Sequence, residues 1–233
     1  MKEFSYVLFD NYNTFTDFNL YIQKIEISEA EIKKETINIP GADGELDFTY
    51  SLTGDAKFQN RKINITCANL KKYITLQEYS RIQNALHGKK MKIILSNDLN
   101  FYYLGKVSIG KFEIDGLIRY VTIECDVEPY KYDLTSSNED WLWDPFCFED
   151  GIINETKDIN VSGTKDIVIY GRRKTIIPWI ECSSPMQVIF DSETYNLSEG
   201  RQKVLNIEIR EGINTLRFIG NGIVTIEYQG GSL

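Results

Sequence analysis

The sequence predicts a mostly-β protein with a single helix, and three observations carry that prediction. Tyr and Phe, whose rings fit half-buried pleated surfaces, number 14 and 12 in a chain of 233 residues. Short runs of alternating apolar and polar residues recur in both halves, separated by Gly, Asn and Asp turn signals. One stretch stands out by placing its apolar residues at helical spacing.

In chain order, residues 20–28 alternate imperfectly and 61–67 cleanly, and both predict strands. The helix is expected at about 76–87. Thr75 can cap it, and Glu78 three residues on completes a capping box in which side chains and end amides satisfy each other. Leu76, Tyr79, Ile82 and Leu86 form its apolar stripe, and Gly88 suits a left-handed stop. Two strand patterns then flank Asp115-Gly116, a dipeptide preferred where a two-residue hairpin turn needs positive φ.

From 133 to about 158 the periodicity stops. Eight acidic groups stand there against Lys157 alone, and Trp141, Trp143, Phe146 and Phe148 surround Pro145. Such a run is too apolar for a free linker and predicts an ordered arm docked on a neighbouring surface. Strands return at 165–170, 176–182, 186–190, 203–209, 214–219 and 222–228, with turns at Asp191-Ser192, Glu211-Gly212 and Gly220-Asn221-Gly222. The expected organisation is a β domain with one helix over 1–132, an acidic aromatic connector over 133–158, and a small β-sandwich over 159–233.

The net charge is −8, of which the connector holds −7, while 1–132 carries −1 and 159–233 is neutral. That distribution offers no basic footprint for DNA or an anionic membrane. The opening Met1-Lys2-Glu3-Phe4-Ser5-Tyr6 lacks the pattern of a signal peptide, and no apolar run approaches the roughly 18–20 residues that cross a bilayer. A soluble protein made in a cytoplasm is expected. Cys67, Cys125, Cys147 and Cys182 form no C-x-x-C pair, which removes sequence support for zinc and leaves reduced thiols.

Enzymatic chemistry lacks its parts. His87 is the only histidine and sits at the helix end, where it is expected to complement the dipole. No nucleophile elbow or phosphate loop occurs, so no catalytic, metal or cofactor site is expected. Asp43, Glu45 and Asp47 alternate after Gly41 and would share one face of an extended strand. A calcium loop starting at Asp43 would need glutamate at its twelfth position, where Gly54 stands. Arg172-Arg173-Lys174 reads as a solvated hairpin tip. Tyr170, Trp179 and Tyr195 could stack sugar rings, which makes a glycan-binding adhesin the alternative function.

Three stretches of the N-terminal half resemble the distal tail proteins (Dit) of long-tailed bacteriophages. They are Phe-Asp-Asn-Tyr-Asn-Thr-Phe-Thr-Asp-Phe-Asn-Leu at 9–20, Ile-Pro-Gly-Ala-Asp-Gly-Glu-Leu-Asp-Phe-Thr at 39–49, and Phe58-Gln-Asn-Arg61-Lys-Ile63 with the exit Pro129-Tyr130-Lys131-Tyr132. Pro178-Trp-Ile and Gly212–Gly220 look like strands of the family's galectin-like C-terminal domain. The resemblance implies a ring-forming N-terminal β-sandwich and a galectin-like or carbohydrate-binding-module-like C-terminal sandwich. It further implies a homo-oligomeric ring, in the family usually a hexamer, at the distal end of the tail tube of a virion assembled in a bacterial host cytoplasm. Its partners would be the tail-tube protein, the tail-associated hub protein and, in some phages, a receptor-binding protein. A channel that passes DNA should avoid positive charge, which makes Asp43, Glu45 and Asp47 the expected lumen-facing cluster.

Overall fold

The computed structural model describes residues 5–41, 43–51, 54–69, 75–115, 118–134 and 156–233. The expected connector aromatics Trp141, Trp143, Phe146 and Phe148, together with Cys147 and Gly116, lie outside the described residues. The chain divides into two compact units, Met1–Asp98 with Tyr102–Lys131, and Leu99–Phe101 with Tyr132–Leu233. Both are mostly β, and the single helix expected from the sequence is in the first.

The first unit holds β1 (Val7–Phe9), β2 (Tyr12–Asn13), β3 (Tyr21–Ile27), β4 (Thr36–Asn38), β5 (Glu45–Asp47), β6 (Arg61–Asn69), α1 (Leu76–Leu86), β7 (Lys90–Leu95), β8 (Phe101–Asp115) and β9 (Ile118–Val127). Seven of these strands form one antiparallel sheet in the order β2-β1-β7-β8-β9-β6-β3, while β4 and β5 pair only with each other. Val7, Phe9, Ile63, Ile65, Ile93, Val107, Ile123 and Val127 meet Ile82 and Leu86 of α1 in one core. Burying each such side chain is worth about 1.5–3 kcal/mol, so the sheet and the helix stabilise each other. The imperfect alternation at 20–28 has a local cause: a bulge between Ile22 and Lys24 shifts the register of β3 on β6.

The capping box forms as the sequence predicts. The Thr75 hydroxyl accepts from the Glu78 amide at 3.2 Å, and the Glu78 carboxylate accepts from the Thr75 amide at 2.9 Å. Gly88 follows at φ +77°. Leu76, however, is exposed, and the stripe that packs begins at Tyr79. The dipole role expected of His87 falls instead to Lys89, whose Nζ donates to the Ala85 carbonyl at 2.7 Å. His87 has a different task. β7 pairs with β8 up to Val107, whose amide donates to Lys89, and beyond that point the chain of β7 has already turned into the helix. The Ile109 amide would lack a strand partner there, and it donates to His87 Nδ1 at 2.9 Å. The lone histidine is a surrogate for missing strand.

The second unit holds β10 (Lys131–Asp133), β11 (Ile159–Gly171), β12 (Trp179–Cys182), β13 (Met186–Phe190), β14 (Glu193–Leu197), β15 (Gly200–Gln202), β16 (Gly212–Glu227) and β17 (Gly231–Ser232). β11 and β16 are paired along their length. β16 then takes β13 as its other neighbour around residues 217–219 and β12 at 224–227. Two half-sheets thus share one long ribbon, and Ile167, Ile169, Phe218, Val188, Ile180, Val224 and Ile226 share one core.

Gly220-Asn221-Gly222, expected as a turn between strands, is the bend inside continuous β16. Gly220 and Gly222 lie at φ +148° and +152°, and a Cβ on Gly220 would come within 2.7 Å of Met186 Cβ. The Ser184 hydroxyl donates to the Asn221 carbonyl, and the Ile223 amide donates to Ser183 Oγ at 2.8 Å, fixing the bend. The strand expected at 203–209 is irregular apart from a single bridge between Ile176 and Ile209, and the expected run at 186–190 is joined by β14 through Asp191 and Ser192, both at positive φ.

Candidate functional site

The most distinctive surface of the first unit is the excursion between β3 and β6. Residues 28–60 leave the sheet and return to the neighbouring strand as a ribbon: the Ser28 amide donates to Lys62, Gln59 to Glu31, Lys33 to Lys57 and Phe48 to Glu35. Among its described residues only Thr49 and Ala56 are buried. The root is clasped by Arg61, which donates to the Ser28 carbonyl at 3.0 Å and to the Pro129 carbonyl at 3.3 Å, with its guanidinium 5.8 Å from the Tyr103 ring. Phe58 meets Tyr130 edge to face at 6.0 Å. The stretches 58–63 and 129–132, singled out separately in the sequence, thus meet at one place.

The pairing Thr36↔Asp47, Ile37↔Leu46 and Asn38↔Glu45 gives the ribbon two unlike faces. Ile37 and Leu46 stand on one face, 57% and 48% exposed, with Ile39 also exposed beyond Ile37. Glu45 and Asp47 stand on the other with Thr36 and Asn38. Asp43 precedes Gly44, whose φ of +80° turns the chain, so the expected three-acid row has two members on the strand and one outside it. The hydroxyl and amide of Thr49, with the amide 2.8 Å from Asp47 Oδ1, hold the Asp47 carboxyl below its ordinary value. No group of three His, Cys, Asp or Glu able to hold a metal ion occurs among the described residues.

In the second unit the three rings proposed for sugar stacking do not converge. Tyr170 stands on the outer face of the β11–β16 ribbon opposite Ile213, 48% exposed. Trp179 lies at the start of β12 with the guanidinium of Arg201 and the ammonium of Lys203 at 4.5 and 4.8 Å from its ring. Tyr195 packs against the core, and its hydroxyl donates to Glu193 at 2.5 Å, a bond that raises its pKa. The basic tip is not simply solvated. Arg172 grips Asp133 through two nitrogens at 2.9 and 2.7 Å with Phe101 under its guanidinium, Arg173 pairs with Glu211, and Lys174 reaches Tyr132. Sequence reading missed this clamp because its halves are far apart in the chain. The thiols of Cys67 and Cys125 are buried and pushed up to about 12, and that of Cys182 to about 11, so they are inert at neutral pH.

No protein-family model matches the chain, and no curated protein matches it. Among solved structures, the chain is similar to the crystal structure of the phage SPP1 Dit protein (gp 19.1), described as a paradigm of the hub adsorption apparatus in phages that infect Gram-positive bacteria. The likeness has a TM-score of 0.58 at 13% identity and covers 97% of this chain and 98% of that one. The architecture is therefore Dit-like. At that identity the likeness shows the fold, and the resemblance read from residues 9–132 agrees with it.

Proposed function

We propose that this chain is a structural component of a phage or phage-derived tail tip, in which copies close into a ring, six in number, that joins the tail tube to the adsorption hub and lets DNA pass. The observation that carries the reading is the fold likeness over essentially the whole of both chains, which a chance match of one common domain would not give. The arm at 28–60 supports it. A two-stranded ribbon is marginal by itself in water, and its apolar face at Ile37, Ile39 and Leu46 needs a cover. A ring supplies one, because a head-to-tail contact closes by rotation. The tail-tube protein would sit above the ring, the hub protein below, and a receptor-binding protein outside.

In this reading the chain is not an enzyme. His87 is committed to a backbone amide, and the glycan-binding alternative is weakened by the separation of Tyr170, Trp179 and Tyr195. Sedimentation of the concentrated full chain, followed by negative-stain imaging of assembled tails, tests the proposal. Closed rings support it. A protein that stays monomeric within assembled tails overturns it.

A further inference from the structure

The bend inside β16 holds the only Asn-Gly pair of the sequence, Asn221-Gly222. Asparagine is a chemically labile residue, and a following glycine puts no side chain in the way of attack on it. In that attack the Gly222 amide nitrogen bonds to Asn221 Cγ, the Cγ–Nδ2 bond breaks, and ammonia leaves with the amide proton. Water then opens the cyclic imide at either carbonyl and gives aspartate or isoaspartate. Water is the only co-reactant.

Asn221 is exposed, yet the fold holds it away from that reaction. Its Oδ1 accepts from the Gly163 amide at 3.0 Å, which draws the side chain across the ribbon towards β11. Its main-chain carbonyl accepts from the Ser184 hydroxyl, and the Ile223 amide donates to Ser183 Oγ at 2.8 Å, so the backbone is fixed on both sides of Gly222. The same two hydroxyls crowd Gly222 itself: a Cβ there would come within 2.5 Å of Ser184 Oγ and 2.8 Å of Ser183 Oγ. Ser162↔Asn221 and Val161↔Gly222 continue the β11–β16 register through the bend.

We propose that Asn221 is a site of spontaneous deamidation that the folded bend suppresses, with Ser183 and Ser184 as the side chains that keep it closed. Ring closure needs the Gly163 and Ser184 bonds released together, so the reaction runs through local opening, at the unfolded-chain rate reduced by the open fraction. The two products differ in consequence. Aspartate keeps an oxygen for the Gly163 amide and leaves the chain length unchanged. Isoaspartate puts an extra methylene into the main chain between the part of β16 that pairs with β13 and the part that pairs with β12. Val224 and Ile226 beyond it are fully buried, and a close-packed core does not absorb such a shift, so that half of the unit loosens.

The test incubates the full chain in mildly alkaline buffer, folded and in urea, and follows the peptide carrying Asn221 by mass spectrometry as its amide becomes an acid. The folded chain should deamidate at least about tenfold more slowly than the unfolded one. Ser183→Ala and Ser184→Ala, each checked for folding by circular dichroism, should speed the folded-state reaction by about two- to tenfold and leave the rate in urea unchanged. Isoaspartate-containing chains should melt at a lower temperature than Asn221→Asp chains. Equal rates in folded and unfolded protein, a comparison that needs no variant, would overturn the proposal. Folded serine variants that both match the parent rate would overturn it too.

Discussion

Two long ribbons of this molecule look alike in sequence and live in opposite surroundings. β11–β16 pairs at every position from Ile159 to Gly171, and alternate residues along it enter a core: Val161, Ile167, Ile169, Leu216, Phe218, Val224 and Ile226 are buried. The arm alternates too, but Ile37 and Leu46 face solvent and neither strand has a buried position. Alternation therefore reports that a ribbon has two unlike faces, and it is silent on whether the chain itself covers the apolar one. The β11–β16 ribbon is held by its own unit. The arm leaves its apolar face to solvent.

The sharpest way to break that comparison is to remove one apolar side chain from each ribbon. Phe218 is fully buried, and Phe218→Ala should destabilise the second unit by about 3–5 kcal/mol, through lost transfer energy and the cavity left behind. Urea denaturation followed by tryptophan fluorescence reads the loss. A change below about 1 kcal/mol would mean that the second-unit core is loosely packed and that the contrast between the ribbons is false.

The same contrast explains what was legible in the sequence. The start of the helix was readable because a capping box is local: Thr75 and Glu78 carry that signal within one turn, while its end falls at Leu86, one residue before the expected 87. The strand at 61–67 was readable because one of its faces is buried, so the alternation is clean. Gly220-Asn221-Gly222 misled because glycine marks both turns and bends, and the choice depends on Met186 and Ser184, which pack against the bend from a separate hairpin. The acids at 43–47 read as one alternating row, but Gly44 turns the chain between the first and the other two. The Arg172–Asp133 clamp had no local signal at all, since its partners are 39 residues apart. Local chemistry is legible, and contact across the fold is not.

His87 sharpens the comparison at intermediate cost, because it shows how the body finishes a ribbon where a strand runs out. Tyr79 Oη donates to the Gly110 carbonyl at 2.9 Å beside the His87–Ile109 bond, so α1 supplies two partners to a stretch of β8 that β7 no longer reaches. His87→Ala should cost about 1 kcal/mol and speed hydrogen exchange at the Ile109 amide. His87→Asn, which retains an acceptor at this position, should lose less. Equal loss in both variants, with Ile109 exchange unchanged, would show that the bond contributes nothing.

The smallest effect on stability is expected in the arm, and its smallness is the informative result. Ile37→Ser with Leu46→Ser changes two side chains that already contact water, so the first unit should lose no more than about 0.5 kcal/mol. Association is a different matter, because a surface left uncovered within one chain acts only when a second chain meets it. The same double variant should weaken self-association at every salt concentration, since burial of apolar surface is not screened as surface charge is. If the double variant instead unfolds the monomer by more than about 1 kcal/mol, the arm is covered by its own chain in solution, and the distinction between the two ribbons disappears.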